Sequence, residues 1–221
     1  DVRSSPRQDF GGKEVLPGDI KYKDVNGDGV VNNDDIVPIG YRTVPGVQYG
    51  MGLSTSWKNF EFNILFQGSG KCDFFIGGNG PHAFRNGQTG NILQTMVDDN
   101  RWIPSEISGD VSTENPNANW PRLTWGNNDN NNQKSTFWLR DGRYIRLKNI
   151  ELRYNIPTTF TRKFFVSNMQ IGFIGENLHT WSPFKLWDPE NATTDEKNSG
   201  VRSGNAYPIN RTYSCYIKLS F

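Results

Sequence analysis

From Val47 onward the chain places apolar side chains at alternate residues. Val47, Tyr49, Met51 and Leu53 alternate with Gln48, Gly50, Gly52 and Ser54; Thr55 interrupts the series and Trp57 closes it. After a Lys58-Asn59 turn the pattern returns, with Phe60, Phe62, Ile64 and Phe66 set against Glu61, Asn63, Leu65 and Gln67. A strand turns successive side chains to opposite faces, so the two segments read as a hairpin with one greasy face. A third strand runs from Arg143 to Ile156. Ile150, Leu152, Tyr154 and Ile156 share a face, whereas Ile145 and Leu147 are out of phase with them. A bulge would reset the phase, as would an upper half that leaves the apolar environment. Met169 to Asn177 reads as a fourth strand, and Tyr213, Cys215, Ile217, Leu219 and the terminal Phe221 stripe a fifth.

The connections between these strands are very unequal. Strands one and two are joined by a tight turn and strands three and four by Pro157 to Asn168, but residues 68–142 and 178–212 form long connections at the other end. Short turns on one side and long loops on the other are the layout of a transmembrane β-barrel with short periplasmic turns. On that reading the last strand runs inward and Phe221 sits at the periplasmic rim. Soluble β-sandwiches also use alternating strands, but two loops of this length are uncommon in a compact domain. The composition agrees: only 34% of residues are hydrophobic although 13% are aromatic, as expected of striped strands diluted by polar loops. No apolar run is long enough for a transmembrane helix. A net charge of +1 gives no case for nucleic acid, and two cysteines cannot make a disulfide framework.

The run from Asp24 to Asp35 fits a twelve-residue EF-hand type of calcium loop. Asp24, Asn26 and Asp28 stand at positions 1, 3 and 5, Gly29 at the sharp turn, Val30 offers its carbonyl at 7, Asn32 its side chain at 9 and Asp35 a carboxylate at 12. Ca²⁺ takes six to eight hard oxygens, and alternate residues of a tight loop bring them to one point. Pro17-Gly18 lies just upstream in place of a helix. The expected role is therefore structural, stiffening a long loop.

Pro17 to Gly29 resembles the C-terminal region of the SusC/RagA family of TonB-dependent outer-membrane transporters. Further blocks agree in order: Ile39-Gly40 with Pro45-Gly46, Phe62 to Gly68, Tyr144 to Pro157, Gly175-Glu176-Asn177-Leu178 with Trp181, then Tyr207-Pro208 and Thr212-Tyr213-Ser214 before Phe221. The resemblance implies an all-β chain: an antiparallel transmembrane β-barrel segment, five or six strands of a barrel of about 22. Residues 1–45 would be an extracellular loop carrying the calcium loop 24–35, and residues 46–221 barrel strands, with the plug domain absent. It further implies import of oligosaccharide or peptide, partnership with a SusD-like lipoprotein, drive from TonB through a missing N-terminal part, and an outer-membrane location in Bacteroidetes-type bacteria. Phe221 would serve as the barrel-assembly signal.

Catalytic motifs are nearly absent, and no enzyme is expected. His82 and His179 stand far apart without metal-ligand neighbours, Gly77-Gly78-Asn79-Gly80 reads as a flexible loop tip, and Asp98-Asp99 and Asp188-Pro189-Glu190 read as solvated loop acids. Trp102, Trp120, Trp125, Trp138, Trp181 and Trp187 read as loop residues, either filling small local cores or contacting the lid protein or substrate. Cys72 and Cys215 are expected to be unpaired. The alternative to the transporter reading is a soluble, calcium-stabilised β-sandwich that binds carbohydrate; an adhesive surface module is the third class.

Overall fold

The computed structural model describes residues 5–87, 90–98, 101–193, 195 and 199–221. The chain forms two compact units. One comprises Asp1–Gly40, Phe75–Leu139 and Thr194–Asn205; the other comprises Tyr41–Phe74, Arg140–Thr193 and Ala206–Phe221. Among the described residues no helix is long and apolar enough to cross a membrane. The strands in chain order are β1 (Arg7–Gln8), β2 (Val30–Val31), β3 (Val47–Trp57), β4 (Phe60–Gly70), β5 (Asp73–Ile76), β6 (Leu139–Asp141), β7 (Tyr144–Ile156), β8 (Asn168–Trp181), β9 (Val201–Arg202) and β10 (Thr212–Ser220). The short helices are α1 (Gln94–Asp98), α2 (Ser105–Ser108) and α3 (Thr158–Thr161).

The second unit is built on a five-stranded antiparallel sheet in the order β10-β8-β7-β4-β3. These are the five strands the alternation predicts. The bulge expected in the third strand is present. Leu65 pairs with Asn149 but Phe66 pairs with Leu147, so Lys148 is an extra residue on β7. Its insertion returns Ile145 and Leu147 to the face of Ile150 and Leu152. On β8 the same irregularity sets Asn177 and Leu178 opposite Lys148, with Asn177 at φ 53.

The structure departs from the sequence reading in two places. The fourth strand continues past Asn177 to Trp181, because pairing resumes at His179↔Leu147 and runs to Trp181↔Ile145. Trp181 is therefore a strand residue, stacked edge-on to His179 with ring centroids 4.4 Å apart. The long connections also contain short strands, β5, β6 and β9 among them.

One face of the sheet is apolar and open. Met51 is 67% exposed, Leu53 60% and Ile217 62%, with Phe60, Leu152, Ile171 and Phe173 also exposed. A sandwich would bury this face on a second sheet. The opposite face is polar and cross-linked. The Arg153 guanidinium donates to Glu151 at 2.6 Å and to Glu61 at 3.2 Å. Asn155 donates to Glu61, Asn63 to Glu151, and Gln170 to Asn155. Tyr216 lies across Gly172 on the same face; a β-carbon there would come within 2.2 Å of its ring. The ladder thus ties β4, β7, β8 and β10 on the side away from the apolar stripe.

In the first unit the core is aromatic. Trp138, 3% exposed, packs against Phe137, His82 and Trp120 with ring centroids 4.8, 4.9 and 6.2 Å away. Its indole N–H donates to the Asn131 carbonyl at 2.6 Å. β1 pairs in parallel with β2, and the end of β5 in parallel with β9. Gly77-Gly78-Asn79-Gly80 is not a free tip: a β-carbon on Gly77 would meet Val201 at 2.8 Å, and one on Gly80 the Ser203 carbonyl at 2.8 Å.

Candidate functional site

Asp24 to Asp35 folds as a compact turn wound by its own side chains. Asp24 accepts the backbone N–H of Gly27 at 2.7 Å and of Gly29 at 2.9 Å, which joins position 1 to the turn glycine. Asn26 accepts from Asp28, and Asp28 from Val30. Asn32 caps the 3₁₀ turn Asn33–Asp35 by accepting from Asp34, while Asp35 returns a bond to the Asn32 N–H at 2.8 Å. Asp35 also takes the N–H groups of Val25 and Asn26. Hydrogen bonds from Asn32, Val25 and Asn26 hold its carboxyl below the usual range, so it is an anion at neutral pH. The six donors are oxygens, the chemistry a hard cation takes. Among the described residues no group of three or more His, Cys, Asp or Glu side chains converges as a metal centre. Asp24, Asp28 and Asp35 face the loop's own amides.

Beside this turn in sequence lies a knot that the sequence gives little sign of. The Asp19 side chain is wholly buried and pairs with Arg122 at 2.9 Å. It also accepts from the Leu16 N–H, from Asn128 and from Asn131. Asn131 Oδ1 accepts the Ile20 N–H, Asn130 donates to the Ile20 carbonyl, and the Tyr22 hydroxyl donates to the Asn130 carbonyl. Asn128, Asn130 and Asn131 are buried. Above it opens a groove of about 490 Å³ whose walls include Trp102, Trp120, Phe137, Pro116 and Glu114.

The tryptophans divide by environment. Trp120 and Trp138 are core. Trp102 is half-buried, its ring lying where a Gly18 β-carbon would come within 2.2 Å. Trp187 packs edge-on to Phe184 at 5.0 Å, and Trp181 lies on the apolar face of the sheet. Trp125 is 60% exposed.

The second unit carries a buried ionic centre. Arg146, 1% exposed, binds Asp188 through both carboxylate oxygens at 2.6 and 2.7 Å, Glu190 at 2.8 Å and the Thr180 hydroxyl at 2.9 Å. The acids of Asp188-Pro189-Glu190 are thus structural partners rather than solvated loop charges. Asp99 of the Asp98-Asp99 pair lies outside the described residues. His82 is buried, with neither ring nitrogen hydrogen-bonded among the described residues, and burial, aided by nearby Arg85, pulls its pKa down to about 4. No disulfide joins the cysteines: Cys72 is buried near the Ser69 hydroxyl, and Cys215 is exposed on the apolar stripe.

No family model matches the chain. A curated relative, TonB-dependent receptor P26 of Formosa agariphila, is 30% identical over 208 residues, covering 92% of this chain and 20% of that protein. The chain belongs to the TonB-dependent receptor family. TonB-dependent receptor P3 of the same organism is 28% identical over 214 residues, covering 93% of the chain and 19% of the relative. The segment thus spans about a fifth of the length of these receptors. The same fold occurs in the RagAB peptide importer. Its closed-closed state has a TM-score of 0.61 at 22% identity over 83% of this chain and 18% of that one; its open-open state scores 0.59 at 22% identity over 82% and 18%. The sheet therefore has the fold of part of a TonB-dependent receptor barrel, and the curated relatives are named as receptors.

Proposed function

We propose that this receptor segment supplies barrel wall and extracellular loops to an outer-membrane importer of oligosaccharide or peptide. Its apolar stripe meets lipid, and the Glu61–Arg153–Glu151 ladder faces the lumen. The single observation that carries the reading is the open apolar face backed by a cross-linked polar one, which a barrel wall requires. A SusD-like lipoprotein would cap the barrel, TonB would drive it, and Trp125 is an exposed loop tryptophan available to lid or substrate. Transport would involve no chemical step. The test uses the full-length protein that carries this chain. It should fractionate with outer membranes, require detergent, and copurify with a surface lipoprotein. Recovery as a monodisperse protein without detergent would favour the soluble sandwich and overturn the reading.

For the loop at Asp24, the proposal is Ca²⁺ held by the side chains of Asp24, Asn26, Asp28, Asn32 and Asp35 and the carbonyl of Val30. Support comes from the spacing and from the position-1-to-turn-glycine bond; the two Asp24 oxygens and Asp35 Oδ2 each accept one N–H and keep a second lone pair, whereas Asp35 Oδ1 already accepts two. The ion would replace internal hydrogen bonds as the loop's fastening. Calcium added to chelated protein should slow amide exchange across residues 24–35, and Asp24→Ala with Asp28→Ala should abolish the effect. Identical exchange with and without calcium would refute it.

A further inference from the structure

All the short connections of the sheet lie at one end. The Asn155 N–H donates to the Asn59 carbonyl at 2.8 Å, and the Ser167 N–H to the Ser220 carbonyl at 2.7 Å. These bonds bring the β3–β4 turn, the β7–β8 connection and the C-terminus to one edge of the unit. That edge is unusually apolar and unusually open. Phe160 is 65% exposed, Phe164 72%, Phe165 92% and Phe221 87%, and Trp57 at the neighbouring turn is 66% exposed.

The β7–β8 connection is folded, not slack. It comprises α3 and a 3₁₀ turn, Arg162–Phe164, pinned beneath by buried Thr161 and Val166 through a Val166 N–H to Thr161 carbonyl bond. Phe165 sits at φ 60, a left-handed conformation that strains any residue with a β-carbon. The backbone thus sets three phenyl rings outward from a fixed base. The same segment contains Arg162 and Lys163 and no acid. Lys163 Nζ lies 5.7 Å from the Phe160 ring centre, and Lys58 Nζ 4.6 Å from that of Trp57. Both short turns therefore carry the same device, an aromatic ring with a lysine ammonium over it.

We infer that this rim, beyond the membrane-spanning strands, is a docking surface for anionic phospholipid headgroups, with Phe160, Phe164 and Phe165 seated among the acyl-chain ends and Arg162, Lys163 and Lys58 on the phosphates. The inference rests on the barrel reading. Rings that enter the apolar boundary and cations that reach back to the phosphates are what an amphipathic interface selects. A dry protein partner would select against the lysines. The rim also continues the apolar stripe, through Ile156 and Met169, to the level where the hydrocarbon layer ends.

The test places the photo-crosslinking residue p-benzoylphenylalanine at position 165, and separately at position 51, of the full-length protein in vesicles. The vesicles are phosphatidylcholine alone or phosphatidylcholine mixed with phosphatidylglycerol. Position 51 should capture lipid equally in both. Position 165 should capture lipid with about a tenfold or greater preference for phosphatidylglycerol, since Arg162 and Lys163 adjoin it in the chain and Lys58 lies at the neighbouring turn, and Arg162→Glu with Lys163→Glu should remove most of the preference. Crosslinking of position 165 to protein, or lipid capture without headgroup preference, would overturn the docking surface while leaving position 51 lipid-labelled. Failure of position 51 to capture lipid would instead overturn the barrel reading.

Discussion

Arg122 meets Asp19 across 103 residues of chain, at 2.9 Å, around a carboxylate with no solvent exposure. Breaking one partner of a buried pair leaves an uncompensated charge and costs about 3–5 kcal/mol. Asp19→Ala should therefore open the knot locally. Hydrogen exchange of the full-length protein should show amides near Leu16–Tyr22 and Asn128–Asn131 speeding by about a hundredfold or more, which corresponds to the lower end of that range. Unchanged protection would mean that the Asn130 and Asn131 bonds to the Ile20 backbone hold the turn without the carboxylate.

Arg146 offers a second buried pair of a different kind. Its three nitrogens reach three partners at once, Nη2 to Asp188, Nη1 to Glu190 and Nε to the Thr180 hydroxyl, an arrangement set by a planar guanidinium that lysine lacks. Arg146→Lys should recover only part of what Arg146→Ala loses, with the alanine variant costing about 3 kcal/mol or more. The temperature at which the folded band disappears in semi-native electrophoresis should rank wild type above lysine above alanine. Equal behaviour of lysine and arginine would show that charge alone suffices.

His82 makes stability depend on acidity. Its folded pKa near 4 lies below the ordinary value of 6.5, so between these limits the unfolded chain binds the additional proton. Stability from this group is complete above about pH 6.5, falls as pH is lowered through the window, and changes no further below about pH 4. The loss is at most about 3 kcal/mol. His82→Phe should flatten this part of a melting-temperature profile taken from pH 7 to pH 4; an unchanged slope would show that His82 is not the group responsible.

Gly172 and Tyr216 form a size-matched pair across β8 and β10. Gly172→Ala puts a β-carbon within 2.2 Å of the tyrosine ring and should destabilise the sheet by about 1–3 kcal/mol. In a Tyr216→Ser background the same change should be nearly neutral. A double-mutant cycle by urea unfolding reads the coupling directly, and simple additivity would show that the ring has other room to move.

The strand stripes were legible because the two faces of a strand meet different surroundings at alternate residues of a contiguous segment, as at Phe60 to Gln67. Even the bulge in β7 left a signal, in the phase error at Ile145 and Leu147. The run Asn127 to Asn132 gave the opposite impression. Polar and repetitive, it resembles a solvated loop, yet Asn128, Asn130 and Asn131 are buried because their amides satisfy Asp19 and Ile20. Those partners lie more than a hundred residues away, and local periodicity carries no information about them. Trp181 was hidden similarly. Asn177 looks like a strand terminus, and only cross-strand pairing carries the strand beyond it.

Lys148 can be described in the language of reading frames. It is a one-residue insertion in β7, and the bulge acts as its suppressor, restoring the two-residue frame before Arg146 arrives. Deletion of Lys148 would straighten the strand yet leave every neighbour on its proper side. Deletion of Leu152, far from any suppressor, would put the intervening side chains out of frame and turn Asn149 and Glu151 onto the apolar face. Along a barrel strand, the length of a lineage's tolerated insertions is therefore set less by space than by parity.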